Sequence, residues 1–272
     1  MTDPMIIPSI EQDPRFAKIY HLGEQRFWAP QTAIDWTLPY NTETPRYFRW
    51  AWRYFEPFRA LSKADQDEFC RKQYKWVLDQ GVHGETFGML AAGILARHAE
   101  TDGERMVACE LALEEARHYE AIRTLAEKFG PVGPPHPKVL EIVDWAEHQG
   151  LLGVFMGLQA GERAGVPSYA LLGRFGGPLF KAVYGRISED ESRHLGFGVL
   201  GIQRYSKGRS HTEVSAIAQR VTDGYAHWAD PSPVWEQYNF PGVEEYWRPF
   251  HVKSRLRSEM VKAFRNLGLD VD

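Results

Sequence analysis

Two Glu-x-x-His motifs, at positions 115–118 and 191–194, most constrain what this 272-residue chain can fold into. Residues three apart lie on one face of a helix. In both segments that face is otherwise apolar, with Ile122 after the first motif and Ile187 before the second. A carboxylate on an apolar face is costly unless it is paired or binds a metal. The motifs therefore predict two helices whose buried faces carry ionisable side chains.

Each motif has a single acid upstream, again on an apolar helical stripe: Glu85 near Val82 and Met89, and Glu162 after Leu158. The midpoint of positions 85 and 115 is 100, and that of 162 and 191 falls between 176 and 177; both coincide with predicted turns. Folding each helical hairpin at its turn brings the single acid level with its own motif. The offset between the halves is 76–77 residues (191 − 115 and 162 − 85).

Two hairpins that each give one Glu and one Glu-x-x-His reproduce the ligand pattern of di-iron and di-manganese carboxylate bundles. Four carboxylates carry four negative charges, which two divalent cations would match. Mixed oxygen and nitrogen ligation suits iron or manganese and argues against a thiolate zinc site. The sequence thus predicts a dimetal site in the core of a helical bundle.

Capping signals place the helices. Ser62 is suited to an N-cap, Thr101–Glu104 has capping-box spacing, and Pro178 suits a first helical position. The predicted helices, with approximate bounds, are 62–98, 101–130, 138–175 with a break at Gly150, 178–207, one from Ser210, and 248–267. No run of alternating β-branched residues predicts a strand, so we predict an all-α fold.

We predict one domain over residues 1–272. It consists of an irregular, proline-rich N-terminal arm at 1–45, a core bundle at about 60–207 and C-terminal helices at 210–267. The length suits a single large core.

Composition narrows the function classes. The net charge is −4 and basic residues do not cluster, so we expect no nucleic-acid partner. The longest apolar run, near "GMLAAGILA", is about half a membrane span, which predicts no membrane insertion. Two cysteines without CxxC spacing and the lack of a secretion signal predict a cytoplasmic protein. A homodimer remains open.

The ordered pair "EEARH" and "DESRH" resembles the ferritin-like superfamily of di-iron oxygenases and ribonucleotide reductase small subunits, over about residues 60–207. The segment "FWAPQTAIDW" is similar to the one preceding the bundle in reductase-small-subunit-like oxidases. The resemblance implies a ferritin-like four-helix bundle with flanking helices and two iron ions, or manganese with iron. It implies six metal ligands: Glu85, Glu115, His118, Glu162, Glu191 and His194. Bridging candidates are Glu115 with either Glu162 or Glu191.

Acids and arginines adjoin the motifs. In such metal sites, an acid like Asp190 or Glu114 often orients a ligand histidine through its free ring N–H. The alternative is that both acids lie at the surface. Arg117 and Arg193 would either pair with these acids or face solvent.

Glycines recur every fourth position at 153, 157, 161 and 165, on the helix carrying Glu162. Each costs about 1 kcal/mol relative to Ala in a helix interior. Two explanations of these glycines are close helix–helix packing and space for a substrate beside the metals.

The resemblance implies an O2-activating oxidase or oxygenase that hydroxylates or N-oxygenates a small organic substrate. Electrons would come from an external reductase or ferredoxin, because the chain has no flavin or nicotinamide fingerprint. Radical-generating reductase subunits carry Tyr where this chain has Ile122, and multicomponent hydroxylases tend to carry Thr where it has Val166. The alternatives are a desaturase, an aldehyde-processing or tRNA-hydroxylase-type enzyme, and a non-enzymatic subunit that harbours a radical or metal.

Overall fold

The computed structural model describes residues 13–43, 46–230, 232–252 and 255–272, and these residues contain helices and no strand. Four long helices form a bundle: α5 (Lys63–His98), α6 (Asp102–Glu127), α8 (Leu151–Phe175) and α9 (Pro178–Tyr205). The shorter helices are α1 (Pro14–Glu24), α2 (Pro30–Ala33), α3 (Arg46–Ala51), α4 (Glu56–Arg59), α7 (Pro137–His148), α10 (His211–Tyr225), α11 (Ser232–Trp235), α12 (Val243–Val252) and α13 (Arg255–Asn266). The predicted all-α class is confirmed.

The predicted capping residues begin the bundle helices. The Ser62 hydroxyl accepts a hydrogen bond from the backbone N–H of Asp65, and the Thr101 hydroxyl accepts one from that of Glu104. The break between α7 and α8 lies at Gly150, whose φ is +73°. These local signals fix where α5, α6 and α8 begin.

The bundle consists of two antiparallel hairpins. Helix α5 packs along α6, α8 packs along α9, and the hairpins meet through the pairs α5–α8 and α6–α9. The turn before α9 needs glycine, because Gly177 has a φ of +89° and a Cβ there would lie 3.2 Å from the Asn41 backbone nitrogen. This close approach ties the N-terminal segment to the second hairpin.

The interior is divided into two apolar clusters along the bundle. One cluster contains Val82, Ile122 and Ile187, and the other contains Leu111 and Phe197. On each of the four bundle helices, the predicted ligands lie between these two groups of apolar residues in sequence. Apolar packing on both sides keeps water away from the polar side chains between them.

The prediction of an irregular N-terminal arm is wrong for part of its length. Helix α1 packs on α6 and α9, and Phe16 is fully buried with its ring edge against Phe197. A short helix like this is stabilised by such tertiary packing rather than by its own propensity. The first twelve residues lie outside the described part of the chain.

The C-terminal helix predicted at 248–267 falls on α12 and α13, and residues 253 and 254 between them lie outside the described part of the chain. Helix α13 packs on α8 and α10, with Met260 and Phe264 buried. Along the described residues, no helix has the length and apolar character needed to cross a membrane.

Candidate metal centre

The structure brings all six predicted ligands together in the bundle core. Each bundle helix contributes from its inward face, and the six residues are at most 8% exposed. They are Glu85 on α5, Glu115 and His118 on α6, Glu162 on α8, and Glu191 and His194 on α9. Three overlapping groups of these side chains have potential ligand atoms within 4.8 Å of one another.

The two imidazoles organise the cluster into halves. The Nδ1 atom of His118 lies 3.4 Å from Glu85 and 3.7 Å from Glu191, measured to the nearest carboxylate oxygen. The Nδ1 atom of His194 lies 3.1 Å from a Glu162 oxygen. Glu85 therefore belongs to the His118 half and Glu162 to the His194 half.

Two carboxylates lie between the halves. Glu115 has one oxygen 3.9 Å from His118 Nδ1 and the other 3.2 Å from His194 Nδ1. Glu191 repeats this arrangement at 3.7 and 3.2 Å. Each of these carboxylates could contact two cations at once.

The outer ring nitrogens face acids. His118 Nε2 lies 3.1 Å from Asp190 Oδ2, and His194 Nε2 lies 2.9 Å from Glu114 Oε2. Because a carboxylate only accepts, each Nε2 carries the hydrogen and donates it. When a metal ion is bound, each imidazole is neutral and its lone pair is on Nδ1, which points at the carboxylate cluster.

The inner atoms lack partners that a cation would supply. Among the described residues, Glu115 Oε1, His118 Nδ1 and both Glu191 carboxylate oxygens are buried without a hydrogen bond. Buried polar atoms in native proteins are nearly always satisfied. Four carboxylates and two imidazole lone pairs directed at one volume fit two divalent cations of the iron or manganese type.

The pKa directions follow from this crowding. Burial, followed by repulsion from Glu162, raises the pKa values of Glu115 and Glu191 well above the usual carboxyl range. Burial also opposes the ionised form of Glu162, but the adjoining Glu191 carboxyl and attraction to His194 outweigh it and lower the Glu162 pKa to about 2. Without cations, protons shared among the acids must offset the repulsion.

The acids that orient the imidazoles are buried and held by arginines. Glu114 and Asp190 are 2% and 1% exposed, so their surface alternative is wrong. Arg193 donates to both acids, at 2.7 Å in the case of Asp190. Arg117 donates to Glu114 at 3.3 Å. Both arginines are buried, so the solvent-facing alternative is also wrong.

These hydrogen bonds keep the orienting acids ionised. Burial opposes ionisation of Asp190, but the hydrogen bond from His118 and the contacts with Arg193 outweigh burial and lower the Asp190 pKa. The hydrogen bond from His194 likewise outweighs burial and lowers the pKa of Glu114. An ionised acceptor holds each imidazole in the tautomer described above.

Two further aromatic residues contact the cluster and were missed by the sequence analysis. The Trp28 indole donates to Asp190 Oδ2 at 2.7 Å and stacks on His118 with 6.1 Å between ring centroids. The Tyr169 hydroxyl donates to Glu85 Oε1 at 2.5 Å. Tyr169 lies seven residues after Glu162, on the same helical face, so its spacing was the signal that could have identified it.

A cavity of about 60 Å³ adjoins three of the acids, Glu85, Glu115 and Glu162. Its walls include glycines of α5 and α8, among them Gly157 and Gly161. Gly153 allows close packing, since a Cβ there would lie 2.1 Å from the Ala146 carbonyl oxygen. Gly157, Gly161 and Gly165 line the cavity, and a Cβ at any of them would contact a tyrosine side chain.

Comparison with known proteins bears on the fold. No protein-family model matches the chain, and no curated protein matches it. Two similar solved structures are an R2-like ligand-binding oxidase with an aerobically reconstituted Mn/Fe cofactor and a variant with an anaerobically reconstituted one. Their TM-scores are 0.54 and 0.56 at 15% identity, covering 93% of this chain and 91% and 92% of theirs. This likeness confirms the predicted ferritin-like helical bundle with flanking helices.

Proposed function

We propose that this protein is an O2-activating oxidase or oxygenase that holds two metal ions in its bundle core. The observation that carries the proposal is the buried cluster of four carboxylates and two imidazole lone pairs, several of whose inner atoms lack a hydrogen bond within the described residues. Two irons suit these ligands, and manganese with iron suits them equally. The similar oxidases contain Mn/Fe cofactors, which supports the same choice of metals.

The geometry supports a role for each ligand. Glu115 and Glu191 lie between the two imidazoles and are the proposed bridging ligands. Glu85 and His118 would complete one metal position, and Glu162 and His194 the other.

When bound, the metal pair supplies the electron transfers that reduce O2 and oxidise a substrate. In a monooxygenation, one oxygen atom enters the substrate and the other leaves as water, which requires two external electrons and two protons. A separate reductase or ferredoxin is the proposed electron donor. Hydroxylation or N-oxygenation of a small organic molecule is the proposed outcome.

The chain itself positions and shields this chemistry. Asp190 and Glu114 hold the Nε2–H groups and so direct both Nδ1 atoms inward. Tyr169 holds one Glu85 oxygen through its hydroxyl and leaves the other free to ligate. The flanking apolar clusters exclude water, which strengthens electrostatic interactions within the site.

Metal analysis combined with O2 uptake tests the proposal. We expect about two metal ions per chain after anaerobic loading with Fe(II), and O2 consumption with a change in absorption on exposure to air. Glu191→Ala should lose at least one metal ion and the O2 reaction. Glu189→Ala, a change of an exposed acid on the same helix, is the matched control and should keep both.

Two results would overturn the proposal. One is a wild-type chain that binds fewer than one metal ion at saturating Fe(II). The other is a fully loaded chain that leaves O2 unconsumed in the presence of an external reductant.

A further inference from the structure

The cavity beside the acids is a slot between two glycine-bearing helix faces. Gly81, Gly84 and Gly88 of α5 line one side, and Gly157, Gly161 and Gly165 of α8 line the other. Two aromatic residues from the end of α10 and the following turn, Tyr225 and Trp228, complete the wall. Their rings lie parallel within 5°, with centroids 6.0 Å apart.

Tyr225 brings an unused hydroxyl to this slot. The residue is 5% exposed, and its ring packs where Gly157 and Gly161 lack side chains: a Cβ at either position would lie 3.4 Å from a Tyr225 atom. At Gly157 that atom is the hydroxyl oxygen itself. In the described part of the chain this hydroxyl has no hydrogen-bond partner. A hydroxyl at the cavity wall without a protein partner is free to donate to a ligand, and that hydrogen bond would add to the ligand's affinity.

The charge around the slot limits what can bind there. The only ionisable side chains among its described lining residues are three carboxylates and two tyrosines; it has no Lys, Arg or His. Burial and then the nearby Glu162 charge raise the Tyr225 pKa, so its phenol is neutral and donates. With two metal ions bound, their charges and those of the carboxylates balance. The slot then offers an anionic group no cationic side chain and a cationic group no unbalanced carboxylate.

The size of the slot is a second limit. A dry cavity of about 150 Å³ can hold benzene, so about 60 Å³ leaves room for roughly two to four non-hydrogen atoms. The Trp228 indole restricts the slot, since its Cζ2 atom lies 2.7 Å from where a Gly84 Cβ would be. Trp228 is half-buried at the wall of the slot, so its indole limits how far a ligand can extend on that side.

We propose that this slot is the substrate pocket, that it takes a small uncharged molecule, and that Tyr225 orients the molecule by donating a hydrogen bond to its acceptor atom. The acceptor would be a carbonyl or hydroxyl oxygen or an amine nitrogen. Trp228 sets the upper size of the substrate. This inference rests on the proposed oxidase function, because the three acids at the slot are proposed metal ligands.

Acetone is the first probe, since it has four non-hydrogen atoms and one acceptor. Its dissociation constant is measured by calorimetry on the anaerobic Fe(II)-loaded protein. We expect Tyr225→Phe to weaken acetone binding about fivefold, the effect of one hydrogen bond. Isopropylammonium, with the same skeleton and a positive charge, should show no binding. Equal acetone affinities for wild type and Tyr225→Phe, or equal binding of both probes, would overturn the proposal.

Xenon binding tests whether the cavity exists, independently of the hydrogen bond from Tyr225. In crystals under xenon pressure, wild type and Tyr225→Phe should bind xenon in the slot equally, because both keep the ring. Gly161→Ala adds a methyl group to the slot and should lower xenon occupancy and acetone affinity together. Gly173→Ala is its control on the same helix, since a Cβ there makes only ordinary contacts at 3.7 Å. Loss of acetone binding in this control as well would contradict the assignment.

A size series tests the role of Trp228. Wild type should bind acetone and reject cyclohexanone, whereas Trp228→Ala should bind cyclohexanone at least tenfold more tightly than wild type does. An unchanged preference would remove Trp228 from the proposal. If the wild-type chain loads two metal ions and consumes O2 but these probes ignore Tyr225, only the substrate assignment fails; if it does not load metals, the proposed function fails first.

Discussion

The hydroxyl of Tyr169 shows how one side chain outside the predicted ligand set can determine the behaviour of the metal centre. It donates to one oxygen of Glu85, while the other Glu85 oxygen faces His118. Its ring stacks on Tyr184 with centroids 5.2 Å apart, which fixes the phenol in place. The Glu85 carboxylate is thereby held in one orientation before any cation binds.

We expect Tyr169→Phe to weaken metal binding about tenfold at the position shared by Glu85 and His118, as loss of such an outer hydrogen bond typically does. The measurement is a competition titration with a coloured chelator. Tyr184→Phe is the matched control, because the Tyr184 hydroxyl has no hydrogen-bond partner among the described residues. Equal metal affinities for the two variants would show that the hydroxyl does not position Glu85.

Among individual residues, the sequence predicted the proposed metal ligands but missed the aromatic residues that contact them, for a physical reason. A Glu and a His three apart on one helix share a face, so the spacing alone brings them together. The contact between Trp28 and Asp190 spans 162 positions in the sequence, and no local periodicity encodes it. Asp190 was identified only because it adjoins a motif residue.

Among the elements, the turns between paired helices carry the strongest constraint. The turn at Gly177 brings Glu162 and Glu191 level and also packs against the backbone of residues 40 and 41. Its φ of +89° lies in the region that residues with a Cβ rarely adopt.

Gly177→Ala should lower the free energy of unfolding by about 2–3 kcal/mol, of which roughly 1–2 kcal/mol is the backbone term. The remainder comes from the close contacts with the N-terminal segment. Gly208→Ala is the control that isolates the backbone term, since Gly208 has a φ of +82° and open space around it. Chemical denaturation of both variants measures the difference; equal losses would show that the N-terminal contact at this turn adds nothing.

The bundle helices were predictable because each carries its own signals, such as the side-chain caps at Ser62 and Thr101. Helix α1 was not, because its N-cap residue, Asp13, makes no side-chain capping bond and the helix depends on burial of Phe16 against α6 and α9. Helix α10 also lies outside the bundle and was predictable, because the Ser210 hydroxyl accepts a hydrogen bond from the backbone N–H of Glu213. An element without such a local signal is defined by the surface on which it packs.

For the whole molecule, burial of apolar side chains in the core stabilises the fold, whereas the buried carboxylates between them destabilise it. Two apolar clusters stabilise the fold on either side of a layer that contains four buried carboxylates. Burial, followed by repulsion within this layer, raises the pKa values of Glu115 and Glu191, so part of the folding free energy is lost when no cation is present.

Metal binding should therefore raise the stability of the entire bundle. At a metal concentration one hundred times the Kd, one bound ion adds about 2.7 kcal/mol. For a chain of this size that corresponds to an increase in Tm of roughly 5–11 °C, measured by calorimetry with and without Fe(II) under anaerobic conditions. Glu191→Gln gives the opposing test, because it replaces a buried carboxyl that must hold a proton when no cation is bound, and it removes one proposed bridging ligand. The metal-free variant should melt above the metal-free wild type, and added Fe(II) should raise its Tm far less. A wild-type Tm that does not respond to Fe(II), or a variant that responds as strongly as wild type, would show that the carboxylate layer does not hold the cations.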